Sequence, residues 1–118
     1  MTKLDKLPMI ERTYHQEHGV LKFYVALSNY TDDIMCRIKI KVTSYPSKST
    51  NAFEPEVVEK AVLHRWDRMV ACFETKLDSS ERIDGTISAS IVYFDQKGKR
   101  TERRVPAVSY THLTLPTN

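Results

Sequence analysis

The feature that most constrains the fold of this chain is an alternation of apolar and polar side chains in two neighbouring stretches. The apolar set is Leu21, Phe23, Val25 and Leu27 in residues 20–28, and Ile34, Cys36, Ile38, Ile40 and Val42 in residues 34–43. A period of two residues with many β-branched side chains is typical of half-buried strands. Both stretches are therefore predicted to be strands, and the turn formers Asn29, Asp32 and Asp33 between them predict a hairpin.

Two more strands are predicted nearer the end of the chain. Residues 86–94 alternate again, and residues 95–99 have the composition of a turn, with Gly98 placed for a left-handed backbone conformation. Residues 100–106 are short and highly charged, which is typical of an edge strand because charge opposes aggregation. We expect these two strands to be neighbours.

The segment between the two strand pairs has a different period. Pro55 suits the first turn of a helix, and the early glutamates Glu54, Glu56 and Glu59 lie where the helix dipole favours anions. The apolar residues recur at helical spacing: Val58, Val62, Trp66, Met69, Val70, Phe73 and Leu77. This spacing predicts one long helix over residues 54–77, with Trp66 anchored in the core.

The element order is therefore ββαββ, and the predicted fold class is α+β. We expect a mostly antiparallel four-stranded sheet with the long helix packed on one face and the other face toward solvent. Residues 1–19 show no sustained period and are interpreted as an N-terminal extension. Residues 20–107 form the predicted single domain, since a chain of 118 residues has the size of one domain.

The last eleven residues have a separate interpretation. Ser109 to Thr117 match, in order, the translation of TCT TAT ACA CAT CTG ACG CTG CCG ACG. The stretch resembles the translation of a transposase-based sequencing-library adapter. The resemblance implies that residues 108–118 are not native protein and that the gene comes from a metagenomic or draft assembly of microbial or phage DNA. It also leaves open whether the domain is complete after about Ala107.

Composition excludes several classes of protein. The hydrophobic share of 41% and the charged share of 28% are typical of globular chains, and a net charge of +3 points to no class of partner. No stretch approaches the roughly 20 apolar residues of a membrane span, and the polar N-terminus is not a secretory signal. Cys36 and Cys72 fit buried thiols in a reducing compartment, so we expect a cytoplasmic protein without membrane association.

A basic sheet face is the clearest candidate site. If the first two strands both turn their apolar residues toward the helix, one set shares the opposite face: Lys22, Tyr24, Arg37, Lys39 and Lys41. Two of Arg100, Arg103 and Arg104 join this face, depending on the register of the last strand. Cations beside an aromatic ring suit phosphate contact and base stacking, which predicts nucleic-acid binding. The alternative is a solvated strand face that uses lysine for solubility.

Other motifs give no catalytic, metal or cofactor site. His15, Glu17 and His18 in the stretch HQEH lack the further histidine or cysteine pair of a zinc site. His64 and Asp67 have no nucleophile placed beside them. We therefore expect a non-catalytic intracellular binding module that acts through a protein partner or a homodimer. The contact would be the exposed sheet face or the edge strand at residues 100–105. Nucleic-acid binding is the alternative function.

Overall fold

The structure, a computed structural model, describes residues 7–44, 53–76 and 83–112. Within these ranges the chain forms seven strands and no helix: β1 (Met9–Glu17), β2 (Val20–Ser28), β3 (Met35–Ser44), β4 (Val57–Leu63), β5 (Arg68–Lys76), β6 (Ile83–Phe94) and β7 (Arg100–His112). The described part of the chain therefore has no helix long and apolar enough to cross a membrane. The predicted α+β class is wrong, because this protein is all-β where it is described.

The strands form two antiparallel sheets with a shared core. The strand order is β1-β2-β5 in one sheet and β4-β3-β6-β7 in the other. The connections from β2 to β3, from β4 to β5 and from β5 to β6 each pass from one sheet to the other. Two-sheet sandwiches occur in many proteins of unrelated function, so the architecture alone assigns no activity.

The hydrophobic core lies between the inner faces of the two sheets. One sheet contributes Leu21, Phe23, Val25, Leu27, Met69, Ala71 and Phe73, and the other contributes Met35, Ile38, Ile40, Val42, Leu63, Ile87, Ala89, Ile91 and Val105. Buried and exposed positions alternate in β5, as they must when one face of a strand packs and the other meets solvent. This alternation explains the patterns seen at 20–28 and 86–94.

The predicted helix is replaced by β4, a turn and β5. Three members of its predicted apolar stripe are exposed: Val62 (38% exposed), Trp66 (66%) and Val70 (53%). Met69 and Phe73 are buried, and Leu77 lies outside the described residues. The helical spacing arises because two strands, each with a period of two, are joined by a turn that shifts the phase. The β-branched valines of both segments favour strands.

The predicted hairpin of the second and third strands is also wrong. β2 pairs with β1 and β5, whereas β3 pairs with β4 and β6. The segment interpreted as an N-terminal extension supplies β1, which pairs with β2 from Met9 opposite Ser28 to Glu17 opposite Val20. β2 therefore forms a hairpin with β1, the strand that precedes it in the sequence.

A bulge at Arg37 interrupts the alternation of β3. Arg37 has a φ of 48°, and two residues of β3 lie opposite one residue of β6 at this point. Such a bulge shifts which residues face the core. Met35 is consequently buried, whereas Ile34 and Cys36, which the alternation predicted to face the core, are only partly buried.

β7 continues past Pro106, where the sequence predicted its end. Val105 pairs with Ala89 and Val108 pairs with Ile87, so Pro106 lies in a bulge between them. Proline is tolerated at such a point because it has no N–H to contribute to the ladder. The backbone of residues 108–112 pairs with that of residues 83–87. The adapter origin of residues 108–118 stays a prediction.

Candidate functional site

Two connections between the sheets meet at one end of the sandwich, residues 29–34 and residues 64–67. The backbone N–H of Asn29 donates to the carbonyl oxygen of Asp67 at 2.9 Å, and the backbone N–H of Trp66 donates to the backbone carbonyl oxygen of Asn29 at 2.7 Å. Trp66 has a φ of 71°, a left-handed conformation that a bulky residue keeps only when its surroundings hold it. The backbones of the two connections thus hold each other in place.

The side chain of Asn29 is buried between these connections. Its Nδ2 donates to the carbonyl oxygens of Leu63 and Asp33, each at 2.9 Å. Its Oδ1 accepts from the amide of Thr31 at 3.1 Å and from the Thr31 hydroxyl at 2.6 Å. Both donors and both acceptor positions of the amide are used. Since a buried polar group is costly unless it is paired, this network favours a single arrangement of the two connections.

An exposed aromatic pair lies on these connections. The Trp66 and Tyr30 ring centroids are 5.8 Å apart, and Tyr30 is 40% exposed. The Arg65 Cζ lies 5.5 Å from the Trp66 ring centroid. The Arg65 Nε donates to the carbonyl oxygen of Thr31 at 3.1 Å, and its Nη2 lies 3.2 Å from the Asp32 Oδ1. We call Tyr30, Arg65 and Trp66 the aromatic platform.

The aromatic platform has the composition of a binding surface. Tryptophan, tyrosine and arginine are the residue types most enriched among the few interface residues that dominate binding energy. Aromatic side chains offer about 150–250 Å² of surface each and lose little conformational entropy when they are covered. Because Arg65 is already held by two hydrogen bonds, ordering it on binding costs less than ordering a free arginine.

The prediction that Trp66 lies on a helix and is anchored in the core is wrong, and for this reason the aromatic platform was not predicted from the sequence. Trp66 lies at helical spacing from Val62 and Val70, and all three are exposed. A signal was present in the sequence, because the polar residues of the stretch HRWD interrupt the alternation of β4 and β5. A large aromatic residue inside a polar turn indicates exposure rather than burial.

The structure divides the predicted basic face between two sheets. Lys22 and Tyr24 lie on the outer face of β2, where they alternate with buried residues. Arg37, Lys39 and Lys41 lie on the outer face of β3, in the other sheet. Because the inner faces of the two sheets pack together, the outer faces point in opposite directions. The five residues therefore do not form one surface.

Two of these predicted cations already lie beside carboxylates. The Lys22 Nζ is 3.5 Å from the Glu74 Oε1, and the Lys39 Nζ is 3.6 Å from the Glu59 Oε1. The charge of Glu74 raises the pKa of Lys22 above its ordinary value. Both pairs are exposed, so each contributes little to stability. They do reduce the charge that either lysine offers to a ligand.

The three arginines of β7 lie on different faces of their sheet. Arg100 and Arg104 lie on the outer face of the β4-β3-β6-β7 sheet, across from residues of β6 that point outward. Arg103 lies opposite the buried Ile91 and so belongs to the inner face, at the edge of the core. Burial raises the pKa of Tyr93 on the same edge, and the charge of Arg103 opposes that rise. Two of the three arginines thus share the outer face with β3.

The stretch HQEH forms an exposed cluster of one carboxylate and two imidazoles at the β1–β2 turn. The Glu17 carboxylate lies 3.1 Å from the His15 Nε2 and 3.3 Å from the His18 Nε2. The hydrogen bond from His15, followed by the charges of His18 and His15, lowers the pKa of Glu17. Within residues 7–44, 53–76 and 83–112, no group of three potential ligands is placed to hold a metal ion.

Comparison of the chain with protein-family models gives no match, and a search of curated proteins gives none either.

Proposed function

We propose that this protein is a non-catalytic binding module that recognises a protein partner through the aromatic platform. The observation that carries the proposal is the exposure of Trp66 on connections that are firmly hydrogen-bonded. Leaving apolar surface in water costs about 25 cal/mol per Å². A surface of this kind, held in one conformation, supports binding because covering it recovers that free energy without a large ordering cost.

The contacts of Arg65 indicate the chemistry of the partner. A guanidinium has N–H donors on Nε and on both terminal nitrogens, and the described hydrogen bonds of Arg65 use Nε and Nη2. Nη1 can therefore donate to a carbonyl or carboxylate oxygen of a partner that lies on the Trp66 ring. We infer that the partner contributes a peptide segment in which an apolar side chain packs on the Trp66 ring and an adjacent oxygen accepts a hydrogen bond from Arg65.

A second copy of the chain is one candidate for this partner. Sedimentation velocity over a range of protein concentrations tests it directly. A homodimer formed through the aromatic platform would dissociate in Trp66→Ala, whereas a chain that stays monomeric at high concentration requires a different protein as the partner.

We also propose a cytoplasmic location. Cys36 and Cys72 are free and lie in different sheets, which suits a compartment that keeps thiols reduced. Fractionation of cells that express the protein tests this proposal, and recovery of the protein outside the cytoplasm would contradict it.

Trp66→Ala is expected to weaken peptide binding by about tenfold or more, because truncating a central tryptophan removes a dominant contact. Peptides are first selected from a random displayed library against the full chain, and their affinities are then measured by calorimetry. Val70→Ala is the matched control, since Val70 is an exposed apolar residue on the outer face of β5, away from the aromatic platform. This control is expected to bind the selected peptides as the natural chain does.

Two outcomes contradict the proposed function. The first is a selection that yields no peptide binder, and the second is a set of peptides that bind Trp66→Ala and Val70→Ala equally well. Circular dichroism of each variant shows that the fold is retained, so that a loss of affinity reports on the surface alone.

A further inference from the structure

The outer face of the β4-β3-β6-β7 sheet carries an excess of cations. The strands place on it the cations Arg37, Lys39, Lys41, Arg100 and Arg104 and the carboxylates Glu59 and Glu102. Each carboxylate lies beside one cation: Glu59 is 3.6 Å from the Lys39 Nζ, and Glu102 is 3.3 Å from the Arg100 Nη1. In the described part of the chain, the charges of Arg37, Lys41 and Arg104 are not offset in this way.

The strand register brings two of these cations around one serine. Lys41 lies opposite Ser90, and Ser90 lies opposite Arg104. Neighbouring strands are about 4.8 Å apart, so the Cα atoms of Lys41 and Arg104 are separated by about 10 Å. Two long side chains can close that gap around one phosphate group. The Thr43 and Ser88 hydroxyls, 3.3 Å apart, lie next along the same strands and offer further polar contacts.

The bulge in β3 places a guanidinium beside an aromatic ring on this face. It turns Arg37 so that its Cζ lies 4.0 Å from the ring centroid of Phe94. The Arg37 guanidinium thus lies over the Phe94 ring, and Arg37 is exposed to solvent. Unpaired bases stack on guanidinium planes of this kind. Bulges are known to redirect single side chains in this manner, so the position of Arg37 is not that of an ordinary strand residue.

The stacking surface and the cation pair are arranged along one strand. Lys41 follows Arg37 by four residues, and at about 3.3 Å per residue their Cα atoms are separated by about 13 Å. A short extended strand of nucleic acid can therefore touch both, with its backbone along β3. A base within a duplex has no free face for Arg37, so the arrangement fits single strands better than double strands.

We propose that this outer face binds single-stranded nucleic acid, with Lys41 and Arg104 on backbone phosphates and an unpaired base stacked on Arg37. This site differs from the one expected from the sequence, because Lys22 and Tyr24 lie on the opposite side of the sandwich. Arg104 of β7 joins it instead. The site is also separate in its residues from the aromatic platform, so either proposal can fail without the other.

Neutralising the cation pair is expected to weaken binding. Fluorescence anisotropy of a labelled oligothymidine is measured with the full chain at several salt concentrations. For a single strand the slope of log affinity against log salt is about −0.7 per phosphate contact, so Lys41→Gln combined with Arg104→Gln should reduce its magnitude by about 1.4. We expect the same variant to bind about tenfold or more weakly at low salt.

The matched control combines Arg68→Gln with Lys76→Gln, which removes the same charge from the outer face of β5. It is expected to keep nearly the natural affinity. No binding at low salt would overturn the proposal. Equal losses in the two double variants would also overturn it, since they would show attraction to net charge rather than to this face.

The stacking role of Arg37 has its own test. Arg37→Lys keeps the charge but removes the flat guanidinium, so it should weaken binding of oligothymidine and leave binding of an abasic oligomer of the same length unchanged. The natural chain should bind oligothymidine more tightly than either the abasic oligomer or a duplex. Equal affinity for oligothymidine and the abasic oligomer would show a general anion site and contradict the proposal, as would tighter binding of the duplex.

Discussion

Replacing Phe73 with alanine is expected to lower the free energy of unfolding by about 3–5 kcal/mol. Phe73 is fully buried, and its ring centroid lies 6.3 Å from that of Phe23 on the neighbouring strand. Truncation leaves a cavity between the sheets that the surrounding side chains fill only in part. Val70→Ala, three residues earlier on the same strand, is expected to change the free energy of unfolding by about 0.5 kcal/mol or less, because Val70 is exposed.

Denaturant unfolding followed by far-ultraviolet circular dichroism measures both variants. The comparison separates a strand from a helix at this segment, since the helical interpretation places Val70 and Phe73 on one buried stripe. Similar large losses at both positions would contradict the strand.

Asn29→Ala is expected to lower the free energy of unfolding by about 1–3 kcal/mol, because it removes the side-chain donor from the buried carbonyl oxygen of Leu63 and the acceptor used by Thr31. The side-chain Nδ2 of Asn29 donates hydrogen bonds to the carbonyl oxygens of Leu63 and Asp33. Without these bonds, the two connections that carry the aromatic platform are held less firmly. Asp33→Asn is the control: the described hydrogen bonds to Asp33 involve its backbone, and its side chain is exposed.

Denaturant unfolding and amide hydrogen exchange check this prediction together. The Trp66 amide, which donates to the Asn29 carbonyl oxygen, should exchange slowly in the natural chain and in Asp33→Asn and faster in Asn29→Ala. An Asn29→Ala variant as stable as Asp33→Asn, with an equally protected Trp66 amide, would show that the network does not hold the connections.

Local patterns in the sequence predicted two of the strands from the alternation of their apolar and polar side chains. The alternation at residues 20–28 and 86–94 corresponds to β2 and β6, and the turn at Gly98 has the expected left-handed φ of 88°. These features depend on neighbours along the chain, which is why the sequence alone was sufficient to find them. β1 was missed because its side chains are mostly exposed and show no apolar period.

Features that depend on distant pairing were not predictable in the same way. The turn at residues 64–67 joins strands of different sheets. Because of the length of this turn, the apolar residues of β4 and those of β5 together recur at helical spacing. Likewise, Arg37, Lys39 and Lys41 share a face because they lie on one strand, but Lys22 and Tyr24 do not join them because β2 and β3 belong to different sheets. Only the pairing of strands decides which outer face each residue occupies.

The measurement that tests the role of the aromatic platform most directly is the emission of Trp66 during titration with a selected peptide. Trp66 is the single tryptophan of the chain and is largely exposed, so its emission reports on this surface alone. We predict a shift to shorter wavelength and weaker quenching by acrylamide, both saturating together with binding. Saturated binding with unchanged Trp66 emission and quenching would place the peptide elsewhere and contradict the proposed function.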